Sequence, residues 1–292
     1  MRRFVLRVTA FCIPIAIALM SLEWYMRSLP NSYRQKEEWM EHNSHRVEVL
    51  IMGNSHALYG IRPCMFHDVA YNLSNVSQTL EYDEFLLRRY LPRCPRLKSV
   101  LLIVDNSNFF DPPLEQTESY RCTYYQIYMH CAKHSPWGRY GFEIANIAAL
   151  KEKLLQDSIY IDSLGAYVGN TLRRRDAECF STQTVDATAD RHSQRNERDV
   201  QVNKSHLDNI VRLCREHGIR LYLVQAPVTT PYYQRLPLRE REFVRQCCRY
   251  EGVVTSDFSQ DIHFTEDDFF DPDHLSAPGA VKWSRMLSSM VY

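Results

Sequence analysis

The chain has 292 residues, with 35 Lys and Arg balancing 35 Asp and Glu, 45% hydrophobic and 12% aromatic residues. This composition supports a buried core and excludes a disordered or collagen-like chain. A net charge of zero provides no basic field to hold a polyanion, so no nucleic acid partner is expected. One domain carrying an insertion is the default for this length.

From Phe4 to Leu22 only Arg7, Thr9 and Ser21 interrupt an apolar run, which as a helix spans roughly 28 Å, close to a bilayer core. Arg7 can snorkel to the interface, Pro14 is tolerated in a membrane helix, and Trp24 and Tyr25 suit an interfacial belt. A cleaved signal peptide is the competing reading, but bulky residues surround Ser21-Leu22-Glu23-Trp24 where small ones are needed, so an uncleaved anchor over 1–26 is favoured. Arg2, Arg3 and Arg7 before the span are matched by Arg27, Arg34 and Lys36 after it, which leaves the orientation open. Residues 27–46 are polar and suit a stalk or a leading helix.

The domain then opens on Val47–Met52, stopped by Gly53. Ser99–Val104 and Ile219–Val224 repeat this continuous apolar character, which is that of strands covered on both faces. Leu207, Ile210, Val211 and Cys214 share one helix face, with Asn203 as N-cap and Gly218 as terminator. Phe243, Val244, Cys247 and Cys248 mark another face. Val253 and Val254 begin a short strand, and a last helix runs over 277–290. Alternating strands and helices imply an α/β fold with a central parallel sheet between helical layers. Residues 109–200 break this rhythm and read as an insertion, either a lid or a solvated excursion.

Setting aside Cys12 in the span, eight of the nine cysteines remain, an even number that permits disulfides outside the cytoplasm without indicating their pairing. There is no Cys-x-x-Cys pair and no repeated Cys/His spacing, so no metal site is expected.

In open α/β sheets, reactive groups gather beyond the carboxyl ends of the strands. There, Gly53 permits a tight turn that exposes Ser55 near a helix start, where a backbone N–H can stabilise an oxyanion. Near the other end, Asp271 lies three residues before His274 across Pro272. Its carboxylate can accept the Nδ1–H of His274 and leave Nε2 facing a nucleophile. Either segment alone also reads as a helix cap.

Together, a serine after the first strand and Asp-x-x-His before the last helix resemble the SGNH (GDSL-like) hydrolase and acyltransferase superfamily. The resemblance is closest to its membrane-anchored branch of D-alanyl-lipoteichoic-acid transfer and polysaccharide O-acetylation proteins. It covers residues 47–108 and 203–292. Gly53-Asn54-Ser55 matches the first block, with Asn54 where Asp is usual. Asn72–Thr79 matches Asn-Leu-Gly-x-Ser-Gly-Asp-Thr, with Ser77 in place of the oxyanion-hole glycine. Val104–Asn108 stands for the third block, without its glycine, and Asp271 with His274 for the fourth.

The resemblance implies a three-layer, flavodoxin-like fold and a catalytic triad of Ser55, His274 and Asp271. The oxyanion hole would be drawn from the N–H groups of Ser55 and Ser77 and the amide of Asn106 or Asn108. Asn54 and His56 would support the nucleophile. In the unmatched polar stretch, Arg191 and His192 read either as contacts to an anionic substrate or as a solvated pair. No metal or organic cofactor is needed. The implied activity is that of an extracytoplasmic serine esterase or O-acyltransferase acting on acyl, above all acetyl, esters of cell-envelope glycans, in partnership with a membrane-bound O-acyltransferase. The missing glycines favour an alternative, an inactive protein of this fold that binds glycan or assembles with such a transferase. A soluble protein whose first helix packs on the domain is a third possibility.

Overall fold

In the computed structural model, which describes residues 1–131, 141–155, 159–168 and 177–291, five strands form one sheet: Val49–Met52 (β1), Ala70–Asn72 (β2), Ser99–Ile103 (β3), Arg220–Gln225 (β4) and Val254–Asp257 (β5). Their order is β2-β1-β3-β4-β5 and every pairing is parallel, with Ile51 opposite Asn72 on one side and Leu101 on the other. All residues of β1 and β3 are buried, as central strands covered on both faces must be, whereas the edge strand β5 is largely exposed. Three-residue β2 is too short to show a period, which is why the apolar pattern does not announce it.

The helices are α1 (Arg2–Ser28), α2 (Ser32–Asn43), α3 (Ser55–Gly60), α4 (Leu80–Tyr90), α5 (Asn106–Phe110), α6 (Leu114–Thr117), α7 (Ser119–Ile127), α8 (Ile147–Leu155), α9 (Thr182–Arg191), α10 (Glu197–Glu216), α11 (Thr230–Arg235), α12 (Leu238–Cys247) and α13 (Ala277–Val291). The chain divides into two compact units, Met1–Glu37 with Leu114–Tyr160, and Glu38–Pro113 with Ile161–Tyr292. Of the stretch read as an insertion, 114–160 falls in the first unit and 161–200 in the second. Residues 132–140, 156–158 and 169–176 of that stretch lie outside the described residues.

The first unit is built on α1, a helix long and apolar enough to cross a membrane, with none of its most apolar stretch buried. Its carboxyl end is polar and engaged. Glu23 is buried, takes the Arg27 guanidinium at 2.5 Å and accepts the backbone N–H groups of Glu143 (3.2 Å) and Ile144 (3.1 Å). Arg27 also donates to the carbonyl of Gly141 at 2.8 Å. Lys153 donates to the Met26 carbonyl at 2.8 Å and pairs with fully buried Glu143 at 2.7 Å. Carbonyls at a helix end have no partner within the helix, and Lys153 supplies one.

The second unit holds the sheet. Here α13 lies against α3, with Gly60 so near Trp283 that an added Cβ would come within 2.8 Å of the indole. Trp283 is fully buried, and truncating such a side chain costs about 3–5 kcal/mol. Ser284 accepts the N–H of Arg62 at 2.8 Å, a second tie between α13 and the chain leaving α3. The elements after Ser55 and after His274 are thus packed on one another.

Helix α10 begins at Glu197 with Asn196 as its N-cap, not at Asn203, because fully buried Val200 extends the apolar face one turn upstream and Glu197 and Asp199 suit the first turn. Cys214, Cys247 and Cys248 are buried on the helix faces that the spacing assigns them.

Candidate active site

The sheet changes direction of growth between β1 and β3, the place where open α/β sheets carry their reactive groups beyond the carboxyl ends of the strands. Beyond β1, Gly53 adopts φ +120°, and a Cβ there would lie 3.0 Å from the Cβ of Ile103 and 3.1 Å from its carbonyl oxygen. Only glycine combines that backbone angle with that approach. The turn delivers half-buried Ser55 to the first position of α3, with the Asn54 side chain accepting the N–H of His56 at 3.0 Å. The Asn54 amide donates across to Ser107 Oγ at 2.7 Å and to the carboxylate of Asp105 at 3.2 Å, locking this turn to the one after β3.

Ser55 Oγ stands 2.8 Å from His274 Nε2. The other ring nitrogen, Nδ1, is 3.0 Å from both carboxylate oxygens of Asp271. Asp271 reaches back because its Oδ1 also accepts the backbone N–H groups of Asp273 (3.0 Å) and His274 (2.8 Å), a local turn that Asp favours. The turn is fastened from β4's side, where Thr229 donates its N–H (3.1 Å) and hydroxyl (2.7 Å) to the Pro272 carbonyl. Such an arrangement can draw a proton from a serine hydroxyl and return it to a leaving group.

Ser77 has φ +54°, the left-handed conformation that favours glycine. Its loop is tied down by Asn75, which donates to Gln78 at 3.3 Å, and by Gln78, which donates to Asp83 at 2.6 Å. Beyond β3, Asn106 and Asn108 are both buried and both have a side-chain nitrogen without a hydrogen-bond partner. They differ in the other amide atom: Asn108 Oδ1 accepts the Asp105 N–H at 2.8 Å as half of a capping box, which commits that side chain to the backbone.

Three carboxylates in this region carry no catalytic role in the sequence reading: Asp105, Asp111 and Asp273. His56 Nδ1 lies 2.5 Å from Asp105 Oδ2, and its Nε2 3.4 Å from Asp273 Oδ2. His192 repeats the pattern, with Nδ1 2.6 Å from Asp111 Oδ1 and Nε2 3.4 Å from Asp273 Oδ2. The second oxygen of Asp273 is 3.4 Å from His274 Nδ1. His192 is buried, turned toward these carboxylates, while exposed Arg191 places a guanidinium nitrogen 3.0 Å from His192 Nε2.

Burial by itself disfavours the charged imidazole of His56, but the charge and hydrogen bond of Asp105, followed by Asp273, push its pKa up to about 10. For His192 burial is likewise outweighed, by Asp111 and then Asp273, and the value rises to about 9. Asp273 is fully buried, which opposes ionisation, yet His274, His192 and His56 hold it well below the usual carboxylate range. Asp105 is lowered in the same sense, against burial, by His56, Ser107 and Asn54. Their only sequence signal is position, next to His274 for Asp273 and just past β3 for Asp105.

Nitrogen and oxygen atoms of His56, Asp273 and His274 lie within 4.8 Å of one another, ligand types that divalent metals use. Both nitrogens of His274 are already engaged, by Ser55 and Asp271, so the set offers no free third ligand while that arrangement stands. Tyr232 packs in a small cluster with Val185 and Ala189 of α9, and Tyr233 lies beneath the Arg241 guanidinium, so both serve packing.

No protein-family model matches the chain, and no curated protein matches it. Among solved structures, one described as "a putative platelet activating factor from Streptococcus pneumonia" is similar at 13% identity and a TM-score of 0.44, over 95% of this chain and 99% of that one.

Proposed function

We propose that the protein is a serine esterase or O-acyltransferase of the SGNH type. The observation that carries this reading is the 2.8 Å contact of Ser55 Oγ with His274 Nε2, backed at 3.0 Å by Asp271. In the proposed reaction Ser55 Oγ attacks an acyl carbonyl as His274 Nε2 takes its proton, and Asp271 holds the imidazole in orientation. The oxyanion is met by the N–H groups of Ser55 and Ser77 and the Asn106 amide. Each such donor is typically worth about 3–4 kcal/mol in the transition state. His274 returns the proton to the departing alcohol, and the acyl-serine passes its group to water or to a second hydroxyl. The strand order 2-1-3-4-5, that of flavodoxin-like doubly wound sheets, supports the fold assignment.

The substrate proposed is an acyl ester of a cell-envelope glycan, with acetyl as the acyl group and a membrane-bound O-acyltransferase as partner. Support comes from the resemblance of the Gly53-Asn54-Ser55 and Asp271–His274 segments to enzymes of that kind. The domain is proposed to lie outside the cytoplasm on a retained anchor. Retention is supported by the engaged end of α1: cleavage after Glu23 would strip the N–H groups of Glu143 and Ile144 of their acceptor.

The test is mass spectrometry of the full-length protein in detergent after fluorophosphonate treatment, beside Ser55→Ala and His274→Ala. Label on Ser55 that requires His274 is the expected result. Absence of label from folded protein would sink the reading in favour of a binding role.

A further inference from the structure

Resting on the Ser55–His274–Asp271 reading, we propose that Asp273 is a second carboxylate positioning His274, itself held by His56 and His192, which Asp105 and Asp111 brace from behind. The argument is geometric. A catalytic imidazole needs one acceptor on Nδ1, and His274 has two: Asp271 at 3.0 Å, whose side chain is 23% exposed, and Asp273 at 3.4 Å, whose side chain is only 3% exposed. Asp271 Oδ1 is shared with two backbone N–H groups, whereas the carboxylate of Asp273 has three imidazoles at 3.4 Å.

A lone carboxylate so deeply buried would take up a proton and lose its charge. Two imidazoles directed at its Oδ2 prevent this. Each is fixed in orientation by a carboxylate on its far nitrogen, at 2.5 Å for His56 and 2.6 Å for His192. The five groups alternate, Asp105–His56–Asp273–His192–Asp111, and draw on α3, the turn after β3, the chain after α5, the residue after α9 and the turn before α13. His192 therefore brings the end of α9 into the site as a structural member of the triad's support.

The charged and titratable groups facing Asp273 are His56, His192 and His274, with Asp271 beside it, the Arg191 guanidinium on the same Nε2 of His192 that points at Asp273, and the Tyr232 hydroxyl from α11. Removing the charge of Asp273 makes the imidazolium of His274 harder to form. Removing the charge of His192, while His56 still holds Asp273 ionised, makes it easier. The two substitutions thus have opposite signs, a signature that general disruption of the site does not produce.

The experiment is the pH dependence of fluorophosphonate labelling at Ser55 in full-length protein. Relative to wild type, Asp273→Asn is expected to move the half-plateau pH down by about one unit and to slow the plateau rate about tenfold. His192→Gln is expected to move it upward. If Asp273→Asn fails to fold, the upward shift in His192→Gln carries the test alone. Labelling with an unchanged half-plateau pH in both variants overturns the role of Asp273 while leaving the serine enzyme intact. Absence of labelling in the wild type overturns the serine reading itself.

Discussion

The backbone N–H of Gly53 donates to the buried carboxylate of Asp83 at 3.0 Å, and Gln78 donates to the same oxygen at 2.6 Å. One side chain on α4 thereby joins the turn that carries Ser55 to the loop that carries Ser77. The second oxygen of Asp83 has no partner and is buried. Burial pushes the Asp83 pKa up to about 7, against the two hydrogen bonds.

A carboxyl group whose folded value is raised binds protons more tightly in the folded state. Its penalty is absent below the unfolded value near 4 and grows as pH rises toward about 7. Asp83→Asn keeps an acceptor for both donors and removes this titration. It is expected to flatten the stability profile between pH 4 and 7 and to stabilise the protein at pH 8 by a few kcal/mol, on the order of the linkage. Denaturant unfolding in detergent at pH 5, 6, 7 and 8 measures it; a steeper profile in the variant would refute the assignment.

His56 and His192 have the opposite linkage. Their folded values, about 10 and about 9, lie above the unfolded value, so their stabilisation is complete below about pH 6.5 and is lost as pH rises through 9 and 10. Stability is expected to fall across that alkaline window. In His56→Gln the fall should be smaller, as read by thermal unfolding at pH 6, 8 and 10.

Asn106 and Asn108 separate by kinetics and stability. Asn106→Ala removes a buried donor that has no partner, so it is expected to leave stability nearly unchanged while lowering ester turnover by about 10²–10³-fold. Asn108→Ala breaks the capping box of α5 and is expected to cost about 1 kcal/mol. Equal rate losses in the two variants would show that the oxyanion amide is not assigned correctly.

Ser77 at φ +54° holds a conformation that costs a non-glycine residue about 1–2 kcal/mol. Ser77→Gly relieves this cost, offset by the greater freedom of an unfolded glycine, and is expected to be neutral to about 1 kcal/mol stabilising, with Ser55 labelling retained. Ser77→Val, β-branched at the same angle, is expected to destabilise and to slow labelling. Faster labelling in the valine variant would count against a role for this N–H.

In the first unit, Lys153→Met leaves Glu143 fully buried without its cation, a loss of about 3–5 kcal/mol for a broken buried pair. Limited proteolysis of the full-length protein should cut within 114–160 faster in the variant. An unchanged rate would show that the pair does not secure the end of α1.

Much of this architecture was legible locally. The apolar runs at 47–52, 99–104 and 219–224 are strands because an uninterrupted β-rich run is stable only between two covering layers, and the structure places them at the centre of a parallel sheet. The length and apolarity of α1 were legible from composition alone, since both are properties of consecutive residues. Asn203 lies inside α10: a polar residue before an apolar run resembles a cap, but Val200 carries the apolar face a turn further back.

What sequence by itself determined were properties set by near neighbours: the strands, the apolar helix, the glycine needed at 53 and the reach of Asp271 back to His274 across a proline turn. Only the tertiary structure decided which distant groups meet. Asp273 is surrounded by His56, His192 and His274, and Gly53 finds Asp83, because parallel crossovers bring the carboxyl ends of separate strands together. The charge states of those residues follow from that convergence, since a buried carboxylate or imidazole stays ionised only where the fold supplies its partner.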